Sequence, residues 1–278
     1  MNRRLVAYGI SSLALGWLSW VAIQHEVWEI RIPAPQWTLL LVLTLLMPLN
    51  WGIEVAKWAW LNPELSRRNA LREVLIGSAW AILTPNRIGD LAGRVAAASG
   101  ERREQASRAF VTSSGSQLLV TLVAGAFALG KEVHWFFAVA VGFATLSYFR
   151  WSPRIPKSIR LRIGMTEAPA PPSPAATRTV VMVMSTLRYL IFAGQFWLSF
   201  RAFGLTVAGQ KIPLIFLGNA LVPSAALGEL GIREALSLAV IAPEGEAVGG
   251  VVMAAFVVWF VNLVVPAAAG AIWQLWQP

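Results

Sequence analysis

The stretch Thr84-Pro85-Asn86-Arg87-Ile88-Gly89-Asp90-Leu91-Ala92-Gly93-Arg94 decides how this chain is read, because it sets two arginines, an acid and the helix breakers Pro85 and Gly89 inside apolar sequence. A related stretch runs from Pro223 to Arg233, where Gly228, Glu229, Leu230 and Arg233 repeat the order of Gly89, Asp90, Leu91 and Arg94. Ionisable side chains are costly at membrane depth and are kept there for pairing or for function. The two stretches are therefore the first place to look for a site.

Composition makes the apolar setting a bilayer. Hydrophobic residues make up 56% of the 278 and charged residues 13%, and several apolar runs reach the roughly 18 residues that cross a hydrocarbon core. The net charge of +9 comes from basic residues that flank these runs and form no basic face with interleaved aromatics. Anionic lipid headgroups rather than nucleic acid are the expected counter-charge. The chain has no cysteine, which excludes disulfides, iron–sulfur clusters and thiolate metal sites. His25 and His134 fall in loops or at a span end, so neither a metal centre nor imidazole acid–base chemistry is expected, and no cofactor is implied.

Working outward from the first stretch, Val74 to Leu83 and Leu91 to Ser99 are each too short to cross, and Pro85 and Gly89 part them. Basic segments lie on both sides, with Arg67, Arg68 and Arg72 before and Arg102, Arg103 and Arg108 after. This predicts a re-entrant hairpin of two half-helices. The second stretch predicts another over Ile212 to Ile241, broken at Pro223, Gly228 and Gly231. Six spans are expected around them: Leu5 to Ile23, Trp37 to about Trp60, Ala109 to Leu129, His134 to Phe149, Thr179 to Phe203 and Val248 to Trp273. The first could be a signal peptide, but it is long and lacks a small-x-small cleavage site. Gly125 to Lys131 fits a Walker-type pattern, yet Glu132 stands where Ser or Thr is required and no strand precedes it.

The expected fold is an all-α polytopic membrane protein in a single domain, 1–278. Gly89 and Gly228 lie 139 positions apart, and that offset carries the second span onto the fifth and the third onto the sixth. Two units follow, about 37–129 and 179–270, joined by a basic and Pro-rich linker over 150–178. Each reads span, broken hairpin, span, in opposite orientations. Inverted repeats with discontinuous helices are the recurring plan of secondary transporters, whose substrates bind near the midplane. With a cytoplasmic amino terminus, Arg31, Lys131, Arg201 and Lys211 are the outward basic residues, while fourteen of the 23 lie inside. The positive-inside rule supports that orientation, with both termini cytoplasmic.

At membrane depth lie Glu54, Lys57, Arg87, Asp90, Arg94, Arg188, Glu229, Arg233 and Glu234. Asp90 with Arg94 and Glu229 with Arg233 can pair at i,i+4, and Glu54 with Lys57 at i,i+3, a structural pair near the interface. Neutralisation of this kind could simply let a hairpin sit in the membrane. Arg87, Arg188 and Glu234 have no obvious local partner, and an unpaired guanidinium suits a phosphate. Arg87 could also snorkel to the interface. Arg188, near the middle of its span, cannot escape to water so easily.

The pattern Asn50, Glu54, Lys57 and Trp58, then Thr84 to Asp90 with Arg94, then Pro223 with Gly228, Gly231, Arg233 and Glu234, resembles the membrane domain of lysylphosphatidylglycerol synthases, whose stand-alone members are flippase-like. The resemblance covers nearly the whole chain. It departs at Asp90, where the family usually has Glu, and at Glu229, where a second glycine is common. It implies the lipid-translocating part without the synthase part, since no water-exposed segment exceeds about thirty residues and a catalytic domain needs upwards of about fifty. A flippase for a phospholipid or other phosphate-bearing lipid in a bacterial cytoplasmic membrane is therefore expected. The alternatives are an accessory subunit of a lipid-modifying or glycosyltransferase system, docking through small-residue faces such as Gly250 with Ala254 or forming a homo-oligomer, and an intramembrane enzyme using Asp90 or Glu229 as acid or base.

Overall fold

The computed structural model describes residues 32–82, 84, 87–98, 100–130, 135–150, 175–222, 229–243 and 247–276. The expected span Leu5 to Ile23, most of the linker, and the breakers Pro85, Pro223 and Gly228 lie outside the described residues, as does the side chain of Glu229. The described residues form helices, with no strand among them. In chain order these are α1 (Trp37–Leu61), α2 (Arg67–Ala81), α3 (Ile88–Ala97), α4 (Arg103–Leu129), α5 (Trp135–Arg150), α6 (Ala175–Ala202), α7 (Lys211–Leu221), α8 (Glu229–Ile241), α9 (Ala247–Trp259) and α10 (Val265–Leu275). A π-helical turn, Phe260–Val264, joins α9 to α10.

Four helices are long and apolar enough to cross a membrane: α1, α4, α6, and α9 with α10 as one run of 29 residues. The shortest, α1, has 25 residues and spans about 37 Å at 1.5 Å per residue, more than a hydrocarbon core of roughly 30 Å. The 16 residues of α5 reach only about 24 Å, short for a crossing. Phe127, Phe143, Leu45 and Leu190 are exposed, while Asn50, Glu54, Lys57, Arg94, Ser116 and Ser185 are buried. This chain faces apolar side chains outward and polar ones inward, as a bilayer demands.

The hairpin α2–α3 is built on glycine. Ser66 caps α2 by accepting from the backbone N–H of Asn69 at 3.2 Å. At the turn, Thr84 Oγ1 accepts the Gly89 N–H at 2.6 Å and bonds back to the Trp80 carbonyl at 3.2 Å. Any Cβ on Gly89 would run into that same carbonyl. Further along, a Cβ on Gly93 would stand 2.9 Å from the Gly77 Cα, so the two half-helices touch backbone to backbone. Small residues allow this approach in membrane proteins, where water gives no hydrophobic drive between helices.

The hairpins pack crosswise. Helix α2 lies against α10 and α7 against α4, while α1 and α6 face each other. Gly270 of α10 seats on the backbone carbonyl of Leu75, and Gly125 of α4 receives the side chain of Leu217. An aromatic core of Tyr189, Phe196, Phe200 and Phe216 fills the space between α6, α7 and α9. Gly250 and Ala254 do not form an outward docking face: both are buried against this core, and Ser199 Oγ donates to the Ala254 carbonyl at 2.7 Å.

Gly270→Ala forces a methyl onto the Leu75 main chain, which cannot swing away as a side chain would. A loss of about 1–3 kcal/mol is expected from such overpacking, read as a lower Tm in detergent. Gly52→Ala enters open space and is expected to hold or slightly raise Tm, since Ala favours helix over Gly. Equal Tm values for the two variants would contradict this account of the α2–α10 contact.

Candidate functional site

Helix α1 puts Asn50, Glu54, Lys57 and Trp58 on one stripe, with the i, i+4, i+7, i+8 spacing that covers one helical face. All four are buried. Glu54 is the centre of what they face. Its Oε2 receives Lys57 Nζ at 2.9 Å and Arg188 Nη1 at 2.6 Å, while its Oε1 receives Arg94 Nη2 at 3.0 Å. One carboxylate thus holds three cations, from α1, α3 and α6.

Each cation has further anchorage. Arg94 donates from Nε to Asp90 Oδ1 at 2.7 Å and from Nη2 to Oδ2 at 3.2 Å, the forked geometry that guanidinium and carboxylate share. Its Cζ also lies 4.7 Å from the Trp58 ring centroid, a cation–π contact strengthened by burial. Arg188 donates from Nε to Asn50 Oδ1 at 2.9 Å. Lys57 donates to Ser185 Oγ at 3.4 Å, and Ser185 bonds Ser116 at 2.7 Å. Trp58 donates its indole N–H to Glu73 at 2.9 Å, and Glu73 is paired with Arg102. Gly77 makes room for the cluster: a Cβ there would run into Asp90 Oδ1 and stand 2.7 Å from Arg94 Cγ.

The cluster lines a cavity of about 460 Å³, within the range of roughly 300–1,000 Å³ typical of ligand pockets. Among the described residues its charged lining is Lys57, Arg87, Arg94 and Arg188 against Glu54 and Asp90, a formal excess of two positive charges. Arg87 differs from the other cations. Its φ of 54° is left-handed, a conformation rare for a residue with a Cβ and often held at functional sites. Among the described residues its side chain has neither a hydrogen-bond nor an ion-pair partner. Ile88 and Leu118 also line the cavity and are 64% and 47% exposed, so one margin is apolar and open to the outside of the helix bundle. A second lobe of about 240 Å³ shares Trp51, Arg87, Gln117, Thr121, Arg188 and Ala220 with the first.

Six of the nine expected site residues therefore converge: Glu54, Lys57, Arg87, Asp90, Arg94 and Arg188. Arg188 corrects the expectation of an unpaired guanidinium, because Glu54 and Asn50 come to it from α1 across 134 and 138 positions of sequence. Glu54 and Lys57 pair as their spacing predicts and form the buried centre of the cluster. Arg233 and Glu234 are buried on α8 and are not among the described lining of either lobe; among the described residues both Glu234 carboxylate oxygens lack a hydrogen-bond partner. The second hairpin instead meets the second lobe through Phe216, Asn219 and Ala220 of α7.

Sequence reasoning missed Gln117, Thr121, Tyr189, Asn219 and Asn262 as lining residues. Their signal was polarity inside otherwise apolar helices, which marks interhelical or cavity positions. Compared with known proteins, the chain matches no family model, no curated protein and no solved structure.

Glu54→Gln removes the one anion shared by the buried Lys57 and Arg94 and the partly buried Arg188, and a loss of about 3–5 kcal/mol is expected from uncompensated charge. Asp90→Asn leaves Arg94 with Glu54 and is expected to cost less. Thermal unfolding of both variants in detergent checks the order; a Glu54→Gln variant no weaker than Asp90→Asn would remove Glu54 from the centre of the network.

Proposed function

We propose that this chain binds the phosphate-bearing headgroup of a membrane lipid and carries it between bilayer leaflets. One observation carries the reading: a buried cavity with two excess positive charges is bordered by the exposed apolar side chains of Ile88 and Leu118. Charge buried without a counter-ion is strongly unfavourable, so such a lining suits an anionic ligand. Arginine offers two parallel donors to a phosphate where lysine offers a point charge. A headgroup in the cavity would leave its acyl chains along the apolar margin, in contact with the bilayer.

The packing supports a transporter plan. The units 37–129 and 179–270 exchange hairpins, α2 against α10 and α7 against α4, as inverted repeats with discontinuous helices do around a shared site. In this reading the chain has six spans, with Leu5 to Ile23 and α5 completing the set, the short α5 being accommodated by local thinning of the bilayer, together with two re-entrant hairpins and cytoplasmic termini in a bacterial inner membrane. The motif resemblance to the membrane domain of lysylphosphatidylglycerol synthases points the same way.

The test is transbilayer movement of fluorescently labelled phospholipids in reconstituted liposomes. Wild type is expected to accelerate movement over protein-free vesicles. Arg87→Asn, which tolerates the left-handed backbone and breaks no internal pair, is expected to slow it roughly tenfold or more, the worth of a charged hydrogen bond, with Tm unchanged. Folded wild type that leaves every labelled phospholipid at the protein-free rate would refute the proposal.

A further inference from the structure

Glu54 and Glu234 are equally buried, each 4% exposed, yet their surroundings are opposite. Three cations hold Glu54. Glu234, on α8, has no hydrogen-bond partner for either carboxylate oxygen among the described residues. Arg233 precedes it in sequence and leaves α8 about 100° away round the helix. The hydroxyl nearly one turn on, Ser237 Oγ, donates to the Arg233 carbonyl at 2.8 Å rather than to Glu234. Glu229 stands a turn and more before it, at the start of α8. Helix α8 packs against α7 and α9. No ionisable residue occurs on α9, and the single one on α7, Lys211, donates to the Ile241 carbonyl at the far end of α8, at 3.1 Å. A carboxylate enclosed in this way is so unfavourable that the group takes up a proton instead, and an ionisable residue kept at membrane depth marks a relay or a binding site more often than a structural one.

From this we propose that Glu234 is a proton-binding site, and that loading and release of its proton drive the lipid movement proposed above. Only the second half of the inference rests on the transport reading. In the enclosed state the carboxyl is the neutral acid. On release its O–H bond breaks, the electron pair stays on the carboxylate and the proton passes to water; on loading, hydronium from the opposite side returns a proton to the oxygen. Water reaches these oxygens only when α8 parts from a neighbour. Both described neighbours run into the wall of the second lobe, α7 through Phe216, Asn219 and Ala220, and α9 through Asn262 and Leu263 on the π-helical turn at its end. The contact with α7 is close: a Cβ on Gly218, next to Asn219, would stand 2.9 Å from Leu236 Cδ2 of α8. Hydrating Glu234 therefore shifts the wall that faces Arg87 and Arg188. A metal cation fits less well, because hard cations need several oxygen ligands and no group of three or more acidic or histidine side chains gathers among the described residues.

The experiment places the full chain in liposomes with the membrane potential clamped, a pH gradient of about one unit, and fluorescent phosphatidate, phosphatidylglycerol or phosphatidylethanolamine as probe. Wild type is expected to enrich label in one leaflet, up to the roughly tenfold ratio that one proton per lipid and one pH unit allow, and to reverse the enrichment when the gradient is reversed. Glu234→Gln keeps the shape of the neutral acid but takes no proton, and is expected to abolish the enrichment while remaining folded. Two measurements test the proton site without transport. The infrared C=O stretch of a protonated carboxyl is expected in wild type at neutral pH and absent from Glu234→Gln. As pH rises above about 5, the Tm of wild type is expected to fall relative to Glu234→Gln by roughly 3 °C per pH unit, because the folded chain holds a proton that the unfolded chain has released. Identical infrared spectra and parallel Tm curves overturn the proton site and the coupling with it. A proton site in wild type that moves label without responding to the gradient, the result a merely structural acid would give, overturns the coupling and leaves the transport reading standing. A gradient response that survives in Glu234→Gln assigns the coupling to another group, and enrichment driven by a sodium gradient at equal pH assigns it to a metal cation; either overturns the proposal. Wild type that moves no labelled phospholipid takes the coupling down with the transport reading, while the infrared and Tm arms still decide the proton site.

Discussion

The Glu54 carboxylate, with Lys57, Arg94 and Arg188 all within 3.0 Å, is the interaction on which the centre of this protein depends. A single negative charge cannot neutralise three positive ones. Asp90 covers part of the deficit through Arg94, and the dipoles of Asn50 and Ser185 solvate Arg188 and Lys57. Such an arrangement needs its remaining donors directed to acceptors; among the described residues Arg94 Nη1 is the buried nitrogen of the cluster left without one. This explains why the face of α1 that carries Glu54 is polar in a helix otherwise suited to lipid, and why Gly77 stands where a methyl would displace the Asp90–Arg94 pair.

The same arrangement has built-in alternatives. Each arginine has a partner besides Glu54: Arg94 keeps Asp90 on its own helix, and Arg188 keeps Asn50 on α1. A shift of α3 relative to α1 would break the Arg94–Glu54 contact without stranding either arginine. Elements with two discrete, separately satisfied arrangements are what a conformational equilibrium needs, and interfaces of this kind switch rather than deform. The backbone contacts of Gly89 and Gly93 on α2 act differently. They tie α3 to α2, so that the hairpin would move as one body.

Much of this was legible in the sequence where the physics is local. Asp90 with Arg94 and Glu54 with Lys57 follow from helical spacing alone, and the four spans follow from hydropathy. The left-handed turn at Arg87 leaves no such trace, since nothing but its position between Pro85 and Gly89 hints at it. The Arg188–Glu54 pair was illegible for another reason. Which helices face each other is decided by close approaches such as Gly270 on Leu75 and Gly125 on Leu217, and no periodicity in one helix reveals the notch on another. An arginine without a local partner was therefore mistaken for one without any.

The pairing of Arg188 with Glu54 and Asn50 alters how selectivity arises in the proposed site. A wholly unpaired Arg188 would attract any anion by charge alone, over the long range and with little discrimination. Held by Glu54 and Asn50, it presents a fixed and partly neutralised guanidinium, and net attraction passes to Arg87 and to the excess of two positive charges in the lining. Discrimination among phosphates then falls to neighbouring neutral groups, because a site built to hydrogen-bond a substrate rejects analogues that leave its polar atoms unpaired far more strongly than a charge rejects a similar charge. In this chain the neutral polar side chains lining the second lobe include Gln117, Asn219 and Asn262, on three different helical segments. Their convergence beside Arg87 is why the uncharged wall, as much as the charged one, would determine which headgroup is carried.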